Sequence, residues 1–214
     1  MIIGICGKSG CGKSTLARTL IEHYENAIHL DIDKVGHKAL MNQEVKSELI
    51  KSYGNDILNG ENIDRKKLGE IVFNSRLEMK NLSDITWKYM QIEIDKFLID
   101  NKDKIIILDW LLLPISKYFD KCDVKLLLDI PYEVRKERAI KRDNITEEAF
   151  DLREKASISF DINKFDYVIN YNNKVEIKRL VKLIWQKFYI QEVLILLQKD
   201  IWTLLSRQVT CLMK

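Results

Sequence analysis

Five short apolar runs recur along this chain of 214 residues, and stretches of helical period separate them. They cover residues 1–6, 27–31, 104–109, 124–129 and 167–170. A near-continuous apolar run of this length is what a strand buried on both faces of a parallel sheet requires. Between the first two runs, Leu16, Leu20 and Ile21 fall at helical spacing. Residues 34–53 and 64–100 carry the same period, with Gly54 and Gly60 bracketing a turn between them. Pro131 suits the first turn of a further helix that carries Arg135, Arg138, Lys141 and Arg142. Strands that alternate with helices predict an α/β fold: a five-stranded parallel sheet with helices on both faces. One domain is expected over residues 1–190. Residues 191–214 read as a C-terminal helical extension, apolar at 193–197 and 201–205 but interrupted by Gln198, Lys199 and Asp200. The extension is too short and too broken to span a membrane, which leaves a helix packed on the domain or a surface for self-association.

Composition narrows the function classes. The 35 basic and 32 acidic residues leave a net charge of +3, too near neutral to point to a nucleic-acid or membrane partner. Cys6, Cys11, Cys122 and Cys211 form no Cys-x-x-Cys pair, so reduced thiols are expected and structural zinc is not. The first apolar run starts at residue 1 with no basic leader before it, which predicts a cytoplasmic protein.

Four of the eight glycines, Gly4, Gly7, Gly10 and Gly12, lie in the first twelve residues. Gly7, Lys8, Ser9, Gly10, Cys11, Gly12, Lys13 and Ser14 fit G-x-x-x-x-G-K-[ST], and Thr15 continues into the helix. The pattern stands between a predicted strand and a predicted helix, as a phosphate loop must. Amides at a helix N-terminus, with the partial positive charge of the aligned peptide dipoles, bind polyphosphate oxygens. Lys13 supplies a point charge for the β- and γ-phosphates, and the Ser14 hydroxyl a ligand for Mg²⁺. The nucleotide follows from the loop; the reaction does not.

Phosphoryl transfer needs an acceptor-side carboxylate, a metal and arginines around the developing charge. Asp31 and Asp33 close the second strand, on the edge of the sheet where ligands bind in open α/β folds. Spacing alone leaves each as either a site carboxylate or a helix N-cap. Asp109 ends the third strand in the manner of a Walker B carboxylate, a metal ligand or a cap. Arg138 and Arg142 share a helix face, either as lid arginines or as a solvated surface.

With these residues in order, the chain resembles the dephospho-coenzyme A kinases over the stretch from the phosphate loop to about Asn173. Asp31-Ile32-Asp33 is similar to that family's Asp-x-Asp. Residues 60–68, followed by Ile71-Val72-Phe73, are similar to its Gly-x-Ile-Asp-Arg-x-x-Leu…Val-Phe segment, which includes Arg65. Residues 138–143 resemble its arginine helix, and residues 166–170 its late strand. The resemblance implies a P-loop kinase of nucleoside-monophosphate-kinase-like architecture, with a helical acceptor-binding insertion near 34–100 and a small lid near 142–157. It implies transfer of the ATP γ-phosphate to the ribose 3′-hydroxyl of dephospho-coenzyme A. Asp33 would act on that hydroxyl, Asp31 and Arg65 would line the acceptor side, Lys13 and Ser14 would hold ATP and Mg²⁺ with Asp109, and Arg138 and Arg142 would close from the lid. The sequence departs from the pattern at four places, one of them the lid, which lacks the glutamine common near Lys155. Thr-His-Pro reads Thr86-Trp87-Lys88; Asp-x-Pro-Leu-Leu-x-Glu reads Asp109 to Ile115 with Trp110 and without that Pro and Glu; and Asn-x-Gly reads Tyr171-Asn172-Asn173. A kinase for another nucleoside or small hydroxyl compound stays open, as does a nucleotide-dependent switch.

Overall fold

The computed structural model describes residues 1–72, 75–170, 179–186 and 189. Its main sheet contains β1 (Ile2–Gly7), β2 (Ala27–Asp31), β5 (Ile105–Asp109), β6 (Val124–Leu128) and β7 (Tyr167–Ile169). β3 (Leu58–Asn59) and β4 (Asn62–Ile63) make a separate antiparallel hairpin. All five expected runs are strands of one parallel sheet, in the order β2-β5-β1-β6-β7. β1 is central because its residues are apolar on both faces. Ile3 and Ile5 point to one side, where α1 (Lys13–His23) packs on β1, β2 and β5. Cys6 points to the other, into a buried cluster with Ile106, Leu108 and Leu127.

The helices are α2 (Ile32–Ala39), α3 (Gln43–Tyr53), α4 (Arg65–Val72), α5 (Arg76–Asp100), α6 (Tyr132–Asp143) and α7 (Glu147–Lys155). Ile32, Val35 and Ala39 of α2 meet Met90 and Ile94 of α5 in the cluster that holds Cys6. Val45, Leu49, Ile57, Leu68 and Val72 form a second small core with Met79, Leu82 and Ile85 of α5. The insertion between β2 and β5 is therefore helical, as expected, with its own apolar centre.

Its internal breaks differ from the periodic reading. The stretch 34–53 is two helices, because the Asn42 side chain accepts from the amides of Glu44 and Val45 at 2.9 and 3.2 Å and starts α3 anew. The stretch 64–100 is also two, with the Ser75 hydroxyl capping α5 through the Glu78 amide at 3.4 Å. A tight hairpin replaces the plain turn between Gly54 and Gly60, and Gly60 turns it with φ of 61°.

Residues Met1–Asn172 and Asn173–Lys214 are separate compact units. In the second, Trp185 and Tyr189 stack with ring centroids 5.0 Å apart. Residues 191–214, Phe73 and the Tyr171-Asn172-Asn173 stretch lie outside the described residues. Among the described residues no helix is long and apolar enough to cross a membrane.

Candidate active site

The loop after β1 wraps tightly and opens into α1 without a cap. Gly12 stands at the helix N-cap in the left-handed region (φ 94°, ψ 23°), and as a glycine it brings no side chain to cap the first turn. The first turn holds no carboxylate. An uncapped, acid-free helix start leaves its dipole and its amides for an anion. Gly10, at φ 79°, runs so close to α6 that a Cβ would lie 2.2 Å from the Arg135 carbonyl oxygen. Gly10→Ala should therefore lower stability by about 2 kcal/mol or more through the left-handed backbone and the clash together. Urea unfolding measures the loss; an unchanged midpoint would contradict the close approach. Burial pushes the Cys6 and Cys11 thiols up, which makes neither a nucleophile.

At the same sheet edge, Asp109 ends β5 in register with Asp31 of β2. Asp109 is only 3 % exposed. The Ser14 hydroxyl donates to its Oδ2 at 2.9 Å. His29 Nε2 lies 3.5 Å from the same oxygen and has no hydrogen-bond partner of its own. Hydroxyl and carboxylate make a hard, oxygen-only donor pair of the kind Mg²⁺ takes beside phosphates. Among the described residues no group of three or more His, Cys, Asp or Glu could hold a metal by itself. A cation bound mainly by phosphate oxygens and water needs no such cage.

The two strand-end aspartates separate into different tasks. Asp31 is the N-cap of α2, where it accepts from the Lys34 amide at 3.2 Å and pairs with the Lys34 ammonium at 3.3 Å. Asp33 sits in the first turn of that helix and has no capping duty. It is exposed at the start of the helix, yet enough protein lies around the carboxyl to desolvate it. Desolvation, against the pull of Lys13 and with the push of Asp109 and Asp31, raises it to about 6. His37, one turn further along α2, is desolvated and faces Arg65, and both effects hold it below its ordinary value. The charge of the exposed Arg65 thus acts on the helix that carries Asp33.

On the other side of the loop, Arg142 forks onto Asp143 at 2.7 and 2.9 Å and feels both Asp33 and Cys11. Arg138 is exposed, and no hydrogen bond or ion pair between described residues ties it to the loop. Arg135 has the role that its place in the arginine series did not foretell. Only 5 % exposed, it donates to the Ile130 carbonyl at 2.9 Å, reaches the Ser9 carbonyl at 3.4 Å, and forks onto Glu154 of α7 at 2.8 and 3.0 Å. Glu154 also takes the Lys8 ammonium at 2.7 Å, so the loop, α6 and α7 share one ionic strut. The structure thus brings together Lys13, Ser14, Asp31, Asp33, Asp109 and Arg142, and adds Arg135, Glu154 and His29. Arg135 shares the buried face of α6 with Ala139, four residues on.

The chain is 37 % identical to the dephospho-CoA kinase of Aquifex aeolicus over 179 residues, 81 % of this chain and 90 % of that one. It is 38 % identical to that of Fusobacterium nucleatum over 181 residues, 82 % and 92 % of the two chains. In fold it is similar to the crystal structure of TT1252 from Thermus thermophilus, with a TM-score of 0.73 and 24 % identity over 87 % of this chain and 97 % of that one. It is similar also to a Campylobacter jejuni dephospho-CoA kinase, with a TM-score of 0.58 and 23 % identity over 87 % and 96 %. The sequence model of the dephospho-CoA kinases matches residues 1–176, and with relatives this similar the chain belongs to the dephospho-CoA kinase family.

Proposed function

We propose that this protein is a cytoplasmic kinase that transfers the γ-phosphate of ATP to the ribose 3′-hydroxyl of dephospho-coenzyme A. The observation that carries the reading is the Asp33 carboxylate, free of capping duty and beside a phosphate loop whose Lys13 acts on it. The uncapped start of α1 and Lys13 bind the β- and γ-phosphates. Residues 7–15 enclose the triphosphate. Asp33 accepts the proton of the 3′-hydroxyl as its oxygen bonds to the γ-phosphorus, while the bond to the β–γ bridging oxygen breaks and ADP leaves. Arg142 donates to the transferring group, and Arg138 joins it when the lid region near 142–157 closes. Asp31 and Arg65 line the acceptor side. Ser14 and Asp109 would hold Mg²⁺, which neutralises charge on the phosphates.

The test is acceptor dependence. ADP release should require dephospho-coenzyme A and yield a 3′-phosphorylated product. Release that ignores the acceptor would reject the transferase, and turnover only with other hydroxyl compounds in a panel would reject this acceptor.

A further inference from the structure

Glu154 lies 146 positions after Lys8 and in none of the motifs that mark a nucleotide site, yet two cations beside the phosphate loop converge on it. Its Oε1 accepts from the Lys8 ammonium at 2.7 Å and from Arg135 Nη2 at 3.0 Å, and its Oε2 from Arg135 Nη1 at 2.8 Å. Arg135 is buried and Glu154 largely so, and these bonds, that to Arg135 first, hold the Glu154 carboxyl below its ordinary value. Arg135 spends its other donors on backbone: Nε on the Ile130 carbonyl at 2.9 Å, and Nη1 also on the Ser9 carbonyl at 3.4 Å. The Ser9 contact bears on the nucleotide. A trans peptide is planar, so its C=O and N–H point to opposite sides. With the Ser9 carbonyl turned onto Arg135, the Gly10 N–H faces away from that guanidinium, and no hydrogen bond between described residues takes it. Two further contacts fix the same peptide. The Cys11 N–H donates to the Lys8 carbonyl at 3.2 Å, and Gly10 packs on the Arg135 backbone with no room for a Cβ. An amide held in this way is a donor set for a phosphate oxygen.

We propose that Glu154 is a positioning residue for ATP: by gripping Arg135 and Lys8 together, it sets the Ser9–Gly10 peptide of the phosphate loop before the nucleotide arrives, and so couples α7 to ATP affinity. The inference rests on the reading of residues 7–15 as the triphosphate site. Without the carboxylate, Arg135 would be a buried cation with carbonyls alone for partners, and would turn toward water or toward the incoming phosphates. Lys8 would be freed as well. A loop released from both has to order itself on binding, which weakens affinity. The other ties of α7, Lys136 to Glu147 at 2.6 Å and Arg153 to Asp143 at 3.0 Å, join it to α6 alone. Glu154 reaches the loop, and none of its partners is an acceptor-side residue, so its effect falls on ATP rather than on the transfer step.

Glu154→Gln keeps the size of the side chain and removes the charge. It should raise the dissociation constant and the KM for ATP about tenfold, an ordinary coupling between two sites, while kcat falls less than about threefold. Arg135→Lys, which keeps the charge and removes the fork, should do the same, and the double variant should be little worse than either, since the two side chains act as one unit. Lys136→Met breaks the tie to Glu147 and should leave ATP affinity in place. Wild-type ATP affinity in Glu154→Gln, with only thermal stability lowered, would overturn the proposal and leave a structural strut. Tighter ATP binding would overturn it too, because Glu154 would then be holding Lys8 back from the phosphates. Equal losses in Lys136→Met and Glu154→Gln would assign the effect to loosening of the helix pair and end the proposal. The wild-type protein gives a readout that needs no variant to fold. By reciprocity, a non-hydrolysable ATP analogue without acceptor should slow amide hydrogen exchange at residues 153–156, the end of α7, and unchanged exchange there overturns the proposal. Unchanged ATP affinity in Lys13→Ala would end the parent reading, whereas its loss beside an unaltered Glu154→Gln ends only this one.

Discussion

Asp33→Asn should cut kcat by about two or more orders of magnitude while ATP binds as before, because the change removes a proton acceptor and leaves the phosphate loop intact. Asparagine keeps the size and the hydrogen-bonding reach of the side chain, so the loss isolates ionisation from shape. The pH profile gives an independent sign. Asp33 must be ionised to take the proton, and its pKa is raised to about 6 by desolvation and by the charges of Asp109 and Asp31. The ionised fraction therefore grows as pH rises through about 6, and kcat should rise with it and level off above. Below that pH the wild-type enzyme should lose turnover progressively, while the Asn variant, with nothing to protonate, should lack this limb. Single-turnover rates and direct ATP titration of both proteins measure the two quantities. A variant within a few-fold of wild type would overturn the acceptor-side role of Asp33.

The features that proved legible in the sequence are those whose cause is local. A parallel strand buried on both faces announces itself as an apolar run, so all five strands of the sheet were found within a residue or two of their ends. The phosphate loop is contiguous, and its glycines are needed by the backbone itself. The helix boundaries at Asn42 and Ser75 were lost because a polar cap inside an unbroken 3.6-residue period looks like one more exposed position. The hairpin at 58–63 has strands of two residues, too short for any period to register. Arg135 resembled its neighbours Arg138 and Arg142 until its partners were in place. Those partners are Glu154, 19 positions later in α7, and through it Lys8, 146 positions from Glu154. The task of Asp31 and that of Asp33 were likewise inseparable in one dimension, since capping depends on which of them meets the Lys34 amide. Trp110 was visible as a departure from a pattern, but only the ring of Trp87 opposite it makes the departure a geometric one.

Lys13→Ala should weaken ATP binding about ten- to hundredfold and lower turnover further, since a cation on the β- and γ-phosphates gains strength as charge develops in transfer. Compensation by another lysine is the usual escape from such a loss, and the arrangement of the loop closes it off. Lys8, the other ammonium in the loop, is committed to Glu154 at 2.7 Å and lies in the strut that ties the loop to α6 and α7. Moving it to the phosphates would leave Glu154 with Arg135 alone and loosen the loop that the nucleotide needs. Arg142, whose guanidinium feels Asp33, is itself forked onto Asp143. Loss of Lys13 also removes the cation that counters Asp31 and Asp109 at Asp33, so the Asp33 pKa should rise and the acidic limb of the residual activity should move to higher pH. Unchanged ATP affinity and rate would contradict the phosphate-loop assignment itself. Because Asp33→Asn should spare ATP binding and Lys13→Ala should not, the two variants together separate the donor half of the site from the acceptor half, and a shared loss of ATP binding in both would mean that the two halves fold as one unit.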